Sequence, residues 1–296
     1  VEFKVFPDVI ETTDFRGVKT TPHNGQPLEV LRNMLGEYKA YNAQHLPRFQ
    51  GGMVGYMNYE MVSFFEPKLN YNLPQDTLLA HFVIPGELII FDGAHHTLFA
   101  IALACTHKYA SISEAYSSAH QRLDKLLAEI TACVVENGAK PATAPEYKLE
   151  PSIQPDVFRS MVAKTIEYIG EGEIIQGVIS QPFFCDTPPD PFEFYRTQRY
   201  VNPSPYMFFV KAGEACLVGS SPETMVRLEN GPATVLPIAG NRPLGLNEQE
   251  DLAYFNALLP DETDIAEHMF PVDLGRNDLA RVPENGSVQV TQRLTV

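Results

Sequence analysis

Positive charge is scarce in this 296-residue sequence: 22 Lys and Arg stand against 37 Asp and Glu, a formal charge of −15 at pH 7. Nucleic-acid binding rests on neutralising phosphates with Lys and Arg, so a polyanion is excluded as the main partner. A small anion is not, because a few backbone N–H groups or a bound cation suffice for it. Cysteine is sparse as well. Cys105, Cys133, Cys185 and Cys216 stand far apart, in apolar neighbourhoods and outside any C-x-x-C spacing, which reads as reduced core residues of a cytosolic protein. No apolar run approaches the roughly 18 residues that span a bilayer. The opening VEFKVFPDVIETTDF, strand-like and without an initiator Met, lacks the basic and apolar regions of a secretory signal; it reads as the start of a fragment or of a mature chain. The expectation is a cytoplasmic protein with neither a membrane nor a nucleic-acid partner. A P-loop, a dinucleotide fingerprint, a nucleophile elbow and a zinc signature are also missing.

What is present is an ordinary globular composition, 44% hydrophobic and 20% charged, enough for one large or two modest domains. The clearest linker is ENGAKPATAPEYKLEPSIQP, so the expected organisation is an N-terminal region over 1–136, a linker over 137–155 and a second domain over 156–296. Before the linker, Ile112, Ala115, Ala119, Leu123, Leu126, Leu127, Ile130 and Val134 recur at three- and four-residue steps and predict a helix. ELIIFD and HTLFAIAL predict a hairpin whose connection holds His95 and His96; with no third ligand at metal spacing, these read as turn residues. After the linker, Val157, Phe158, Met161, Val162 and Ile166 predict a helix ended by Gly170 and Gly172. IIQGVISQPFF then reads as a strand, with Gln176 on one face and Gly177 on the other. Further strands are expected at YMFFVKA, ACLVGS, TMVRLE, ATVLPIAG and GSVQVTQ, with helices over 247–259 and 263–270. Strands with helices grouped between them indicate α+β.

By residue type alone, three stretches carry chemistry. In TDIAEH, Asp264 and Glu267 lie three apart on one helix face and suit a hard divalent cation, while His268 points about a hundred degrees away. Acids opening a helix are equally accounted for by its dipole. Glu223, after Ser-Ser-Pro, suits a general acid if an apolar cleft raises its pKa, or is an exposed turn residue. PIAGNRPLG offers backbone N–H groups to a carboxylate.

In order along the chain, FQGGMVGYMNYE, GEGEIIQGVISQPF, NPSPYMFF, GSSPE, PIAGNRPLG, AEHMFPVDLGRNDLARV and GSVQV together resemble the chorismate-utilising enzymes, most of all the anthranilate synthase large subunits. The resemblance implies a chorismate-binding fold of mainly antiparallel sheets packed together with helices outside, incomplete here at the C-terminus. It implies Mg²⁺ on the ring carboxylate, a nucleophile added at C2 and loss of the C4 hydroxyl; in the anthranilate branch ammonia adds and pyruvate is eliminated. Glu267 matches the family's magnesium ligand and Asp264 stands for a second acid one turn earlier. Glu223 matches an active-site glutamate, and Ala239, Gly240, Asn241 and Asp264 fall where the family contacts substrate. Gln176 stands where water-using members have Lys, which favours ammonia, supplied by a glutamine amidotransferase subunit. Ala239 in PIAG, where aminodeoxychorismate synthases commonly have Lys, favours the anthranilate branch over that alternative. Pro205 and Met207 match half of a tryptophan feedback site, and the family resemblance implies an oligomer.

The sequence also departs from the family. Asn241 replaces Thr, Leu244 replaces Arg, Thr263 and Asp264 replace Lys-Glu, and Pro271 replaces Leu. The family's later region, with a catalytic His, Tyr and Arg, a Gly-rich loop and a second magnesium glutamate, lies beyond QRLTV, and the front half of the tryptophan site is missing. An inactive fragment is therefore expected. A protein that keeps the fold only to bind a ligand or a subunit is the reading from another class.

Overall fold

The computed structural model describes residues 1–39, 46–69, 72–133, 147–258, 260–282 and 286–295. The chain divides into two compact units, Val1–Glu146 with Ala212–Ala215, and Tyr147–Lys211 with Cys216–Val296. Residues 134–146 of the helix end and linker, and Leu259, lie outside the described residues.

In the first unit, β1 (Glu2–Val5), β2 (Val9–Asp14) and β3 (Gly17–Pro22) are followed by α1 (Pro27–Gly36), β4 (Val54–Met57) and β5 (Ala80–Val83). The five strands form one antiparallel sheet in the order β3-β2-β1-β5-β4. Alternation places Phe3 and Val5 of β1 on the buried face, where they join Ile10, Leu31, Met61, Leu79, Ala80 and Ile84 in a closed core. Two buried histidines are hydrogen-bonded within this unit. His23 Nδ1 accepts from Gly25 N at 3.2 Å, which leaves Nε2 to donate to the Phe6 carbonyl at 2.9 Å; His81 Nε2 lies 2.5 Å from Glu2 Oε1.

The predicted hairpin is present as β6 (Glu87–Asp92) and β7 (Thr97–Ala102), antiparallel with Asp92 opposite Thr97. Its histidines belong to the turn: Asp92 accepts from Ala94 N and His95 N and contacts His95 Nδ1 at 2.8 Å, while His96 takes a positive φ of 52°. The predicted helix is α2 (Ile112–Ala132), capped by Ser111, whose hydroxyl accepts from Glu114 N. Ala115 and Ala119 are its buried positions. Arg122 on α2 clamps the open end of the hairpin, donating to the carbonyls of Gly86 at 3.2 Å and Leu103 at 2.6 Å. The cysteines are free, and the expectation that all four are core residues fails: Cys133 is exposed just past α2 and the others are half-buried.

In the second unit come β8 (Glu150–Pro151), α3 (Pro155–Gly170), β9 (Phe183–Phe184), α4 (Pro191–Val201), β10 (Tyr206–Ala212) and β11 (Ala215–Ser221) apart from their end residues Ala212 and Ala215, β12 (Arg227–Leu228), β13 (Ala233–Thr234), α5 (Glu248–Leu258) and α6 (Glu262–Ala280). α3 stops as its glycines demand. Gly172 at φ 79° turns the chain so that Gly172 N and Glu173 N reach the carbonyls of Ile169 and Tyr168, closing the helix end. Several predicted strands shrink, because a strand exists only with a partner. IIQGVISQPFF pairs only at Phe183–Phe184, with Pro151 and Glu150; TMVRLE and ATVLPIAG reduce to β12 and β13; GSVQVTQ forms no strand. Part of the predicted linker is ordered instead, as β8 and the start of α3. The α+β expectation holds, and among the described residues no helix is long and apolar enough to cross a membrane.

Replacing Arg122 with Met removes two charged hydrogen bonds to backbone carbonyls, each worth about 1.5–3 kcal/mol. Urea unfolding should show a loss of at least about 1.5 kcal/mol, with faster amide exchange at residues 86–103.

Candidate functional site

Four of the motifs picked from sequence are joined physically within the second unit. Gly219 begins GSSPE because the Phe208 ring from β10 occupies the space a side chain would need; an added Cβ would sit 2.1 Å from it. Ser220 Oγ donates to the Asn202 carbonyl at 2.8 Å and so ties the end of α4 to β11. The aromatic ring of Phe209 meets Phe192 of α4 edge-on at 5.6 Å. These contacts explain why NPSPYMFF and GSSPE require one another.

Beyond β11 the chain turns at Ser221, whose hydroxyl donates to the Glu223 carbonyl at 3.0 Å. The Glu223 carboxylate then reaches across to PIAG, where Oε1 accepts from Ile238 N at 3.1 Å. One carboxylate oxygen is thereby fixed by the backbone, and the side chain as a whole is exposed.

PIAG is in turn laid along α6. A Cβ on Gly240, at φ 41°, would lie 3.1 Å from Asp264 Oδ1, and one on Gly275 would lie 3.0 Å from Val235 Cγ2. The eleven helical steps from 264 to 275 span roughly 16 Å at about 1.5 Å each, and the five extended steps from 235 to 240 span about the same at about 3.3 Å. The two segments therefore run antiparallel in register, with small residues at both ends of the contact. The glycines of PIAG and DLGRND are where backbone and helix touch.

Arg242 secures the end of that contact. Its guanidinium donates to Asp264 Oδ2 and, at 3.3 Å, to Asp261 Oδ2. Asp261 also caps α6, its Oδ1 accepting from Thr263 N at 3.0 Å and Asp264 N at 3.1 Å. Asp264 is thus committed to a cation of the chain itself. Arg242 was not among the site residues picked from sequence; the signal was one basic residue in GNRP facing acids three apart at a helix start.

Glu267 lies on α6 one turn beyond Asp264, exposed, and bonded to no other side chain among the described residues. His268 turns away as its helical angle requires, its Nε2 lying 2.7 Å from the Arg293 carbonyl. α6 runs past its expected end at residue 270, through Pro271 to Ala280. Pro271 has no N–H to offer the Glu267 carbonyl four residues before it, so the backbone acceptor beside this carboxylate loses its helical partner. Asn241 is exposed and Ala239 half-buried, both in the segment that Arg242 ends. Gln176, Pro205 and Met207 are not drawn into this network: Gln176 and Pro205 are exposed and Met207 half-buried on β10.

As to a metal, among the described residues no group of three or more His, Cys, Asp or Glu side chains is placed to hold an ion. The uncommitted Glu267 fits Mg²⁺, which takes one or two protein carboxylates and fills its octahedron with water and substrate. Asp264, held by Arg242, does not fit as a second ligand. A cavity of about 990 Å³ flanks α6, lined by Ile238, His268, Val272, Arg276, Leu279 and Val290 among others, but by none of Glu223, Gly240, Asp264 or Glu267; it lies apart from the carboxylate cluster. A smaller one, about 480 Å³, sits at the β12–β13 turn beside Thr224 and Arg227.

Two substitutions test this geometry. Arg242→Met should cost the second unit about 1–3 kcal/mol in chemical denaturation, since it leaves two half-exposed acids facing each other. Pro271→Leu should stabilise α6 by up to about 3 kcal/mol, seen as slower amide exchange around residue 271.

The chorismate binding enzyme family matches residues 5–296. An anthranilate synthase component 1 from Acetivibrio thermocellus is 37% identical over 276 residues, 90% of this chain and 55% of the relative. One from Acinetobacter calcoaceticus is 37% identical over 294 residues, 95% of this chain and 58% of the relative. The crystal structure of anthranilate synthase component I from Streptococcus pneumoniae TIGR4 superposes with a TM-score of 0.77 at 30% identity, covering 99% of this chain and 64% of that one. The chain thus spans little more than half the length of these curated relatives. With the family matched from residue 5 to the last residue, and its motifs bonded to one another in the fold, this chain belongs to the chorismate binding enzymes.

Proposed function

We propose that the chain carries the N-terminal region, over 1–136, and the first part of the catalytic domain, over 156–296, of an anthranilate synthase large subunit. The complete protein converts chorismate to anthranilate and pyruvate with ammonia from a glutamine amidotransferase subunit, in tryptophan biosynthesis in the cytoplasm. The observation that supports this best is the junction of Glu223, PIAG and the start of α6. Three family motifs far apart in sequence meet there through the Ile238 N–H and the Arg242 guanidinium.

In this reading Glu267 holds Mg²⁺, which when bound neutralises the ring carboxylate of chorismate. Gly240 and Asn241 present backbone and amide groups to the substrate, with Ala239 keeping the approach unblocked. Asp264, fixed by Arg242, positions that segment and does not bind metal. Glu223 keeps one oxygen on the Ile238 N–H, so its other oxygen is free to protonate the departing C4 hydroxyl. Gln176 has no titrating group with which to deprotonate water, which supports amination. Pro205 and Met207 contribute to a tryptophan-binding inhibitory site, and the complete protein is oligomeric. The 296-residue chain alone is inactive, because groups that act as a unit are not separately sufficient.

The aminodeoxychorismate branch is separated by product. The complete gene product, given chorismate, Mg²⁺ and ammonium, should release fluorescent anthranilate without added lyase; an aminated ring that keeps its pyruvyl ether contradicts the anthranilate reading. Binding of chorismate by calorimetry without any turnover would favour a non-catalytic protein. In that complete protein Glu267→Gln should lower Mg²⁺-dependent turnover at least about 100-fold, and unchanged turnover counts against the assignment.

A further inference from the structure

Asn-Gly pairs stand in the sequence at Asn24, Asn137, Asn230 and Asn285. Those at Asn24 and Asn230 lie within the described residues, and both build turns with positive φ at each central residue: 50° and 78° at Asn24 and Gly25, 54° and 107° at Asn230 and Gly231. Such turns favour this pair of residues, and both asparagines are exposed. The two turns are held very differently. In the first, Gln26 N donates to the His23 carbonyl at 2.8 Å, and Gly25 N donates to His23 Nδ1 at 3.2 Å. His23 is itself buried and fixed by the Phe6 carbonyl on its other ring nitrogen. The second turn joins β12 to β13, strands of two residues each. Pro232 stands there in the position that Gln26 holds in the first turn, and proline has no N–H to close it. What remains is Glu229 N on the Pro232 carbonyl at 3.1 Å. Neither the Gly231 N–H nor the Asn230 side-chain amide has a hydrogen-bond partner among the described residues.

We propose that Asn230 is a site of spontaneous deamidation and that Asn24, with the same local sequence and exposure, is protected by the fold. In the reaction the Gly231 main-chain nitrogen gives up its proton and attacks the Asn230 side-chain carbonyl carbon. The new C–N bond closes a five-membered succinimide, and the side-chain nitrogen leaves as ammonia. Water then opens the ring at one of its two carbonyls. Opening at the main-chain carbonyl yields isoaspartate, with the chain routed through the former side-chain carbon, and opening at the other yields aspartate. The attacking nitrogen must be free, and the turn must rotate to bring it onto the carbonyl carbon. At Asn24 both requirements are opposed, because the same rotation breaks the bonds from Gly25 and Gln26 to a buried histidine. At Asn230 the nitrogen is already free, and the flanking ladder is only Arg227 with Thr234 and Leu228 with Ala233. β13 runs on directly into Val235–Gly240, so the extra methylene of isoaspartate enters the main chain just before the segment seated on α6.

The test incubates the folded chain at mildly alkaline pH and follows the peptides containing Asn24 and Asn230 by mass spectrometry with separation of the isoaspartate isomer. Conversion at Asn230 should run at least about tenfold faster than at Asn24, the effect of the two hydrogen bonds that must break first, with isoaspartate among the products. In urea the two sites should convert at comparable rates. Pro232→Thr restores an N–H able to donate to the Glu229 carbonyl at an exposed position; it should slow conversion at Asn230 several-fold and leave circular dichroism unchanged. The proposal is overturned if Asn230 does not convert in the folded chain, if Asn24 converts as fast, if the difference between them persists in urea, or if Pro232→Thr leaves the rate at Asn230 as it was.

Discussion

The contact on which the second unit's site depends is the seating of Val235–Gly240 along α6, closed by Arg242 on Asp261 and Asp264. It is a backbone-to-helix approach, so it tolerates only small residues where it is tightest, at Gly240 and Gly275. Once the segment is seated, the Ile238 N–H is in place to hold Glu223, and Glu223 in turn fixes the turn after β11. A single guanidinium thereby orders acids that would otherwise repel one another at a helix start, and it leaves Glu267, one turn on, as the uncommitted carboxylate. The helix dipole contributes at the same end, since Asp261 and Asp264 sit where its positive charge is concentrated.

The two units differ in how completely they satisfy themselves. The first pairs five strands, buries Phe3, Val5 and Ile10 between sheet and helix, and matches its buried histidines to Phe6, Gly25 and Glu2. The second keeps its helices through good local signals: the cap of Asp190 on α4, the glycine stop of α3 and the cap of Asp261 on α6. Its apolar side chains are largely exposed even so. Local capping shapes these helices, whereas tertiary burial is what stabilises the first unit.

The sequence was legible where local physics suffices. α2 and the β6–β7 hairpin follow from periodicity and turn chemistry, and His95 and His96 proved to be turn residues because Asp92 bonds the turn backbone. It was illegible where structure depends on a remote partner. Ile174–Gln181 has a strand's pattern, yet only Phe183 and Phe184 find a ladder. GSVQV fails for the same reason. Pro271 ordinarily argues for a helix end, but α6 continues through it, so the cost at one residue is outweighed by the turns on either side. At the site, spacing identified Asp264 and Glu267 as neighbours on a helix face but gave no means to assign different tasks to them. That distinction came from Arg242, which lies about twenty residues earlier in the sequence and beside them in space.

The central claim is that the Arg242–Asp264 pair, and not either residue alone, holds the PIAG segment on α6. A double-mutant cycle with Arg242→Met and Asp264→Asn, read by urea unfolding of the second unit, tests it most directly. The account predicts a coupling of at least about 1 kcal/mol, with the double variant less destabilised than the sum of the two single ones. Strict additivity would contradict it.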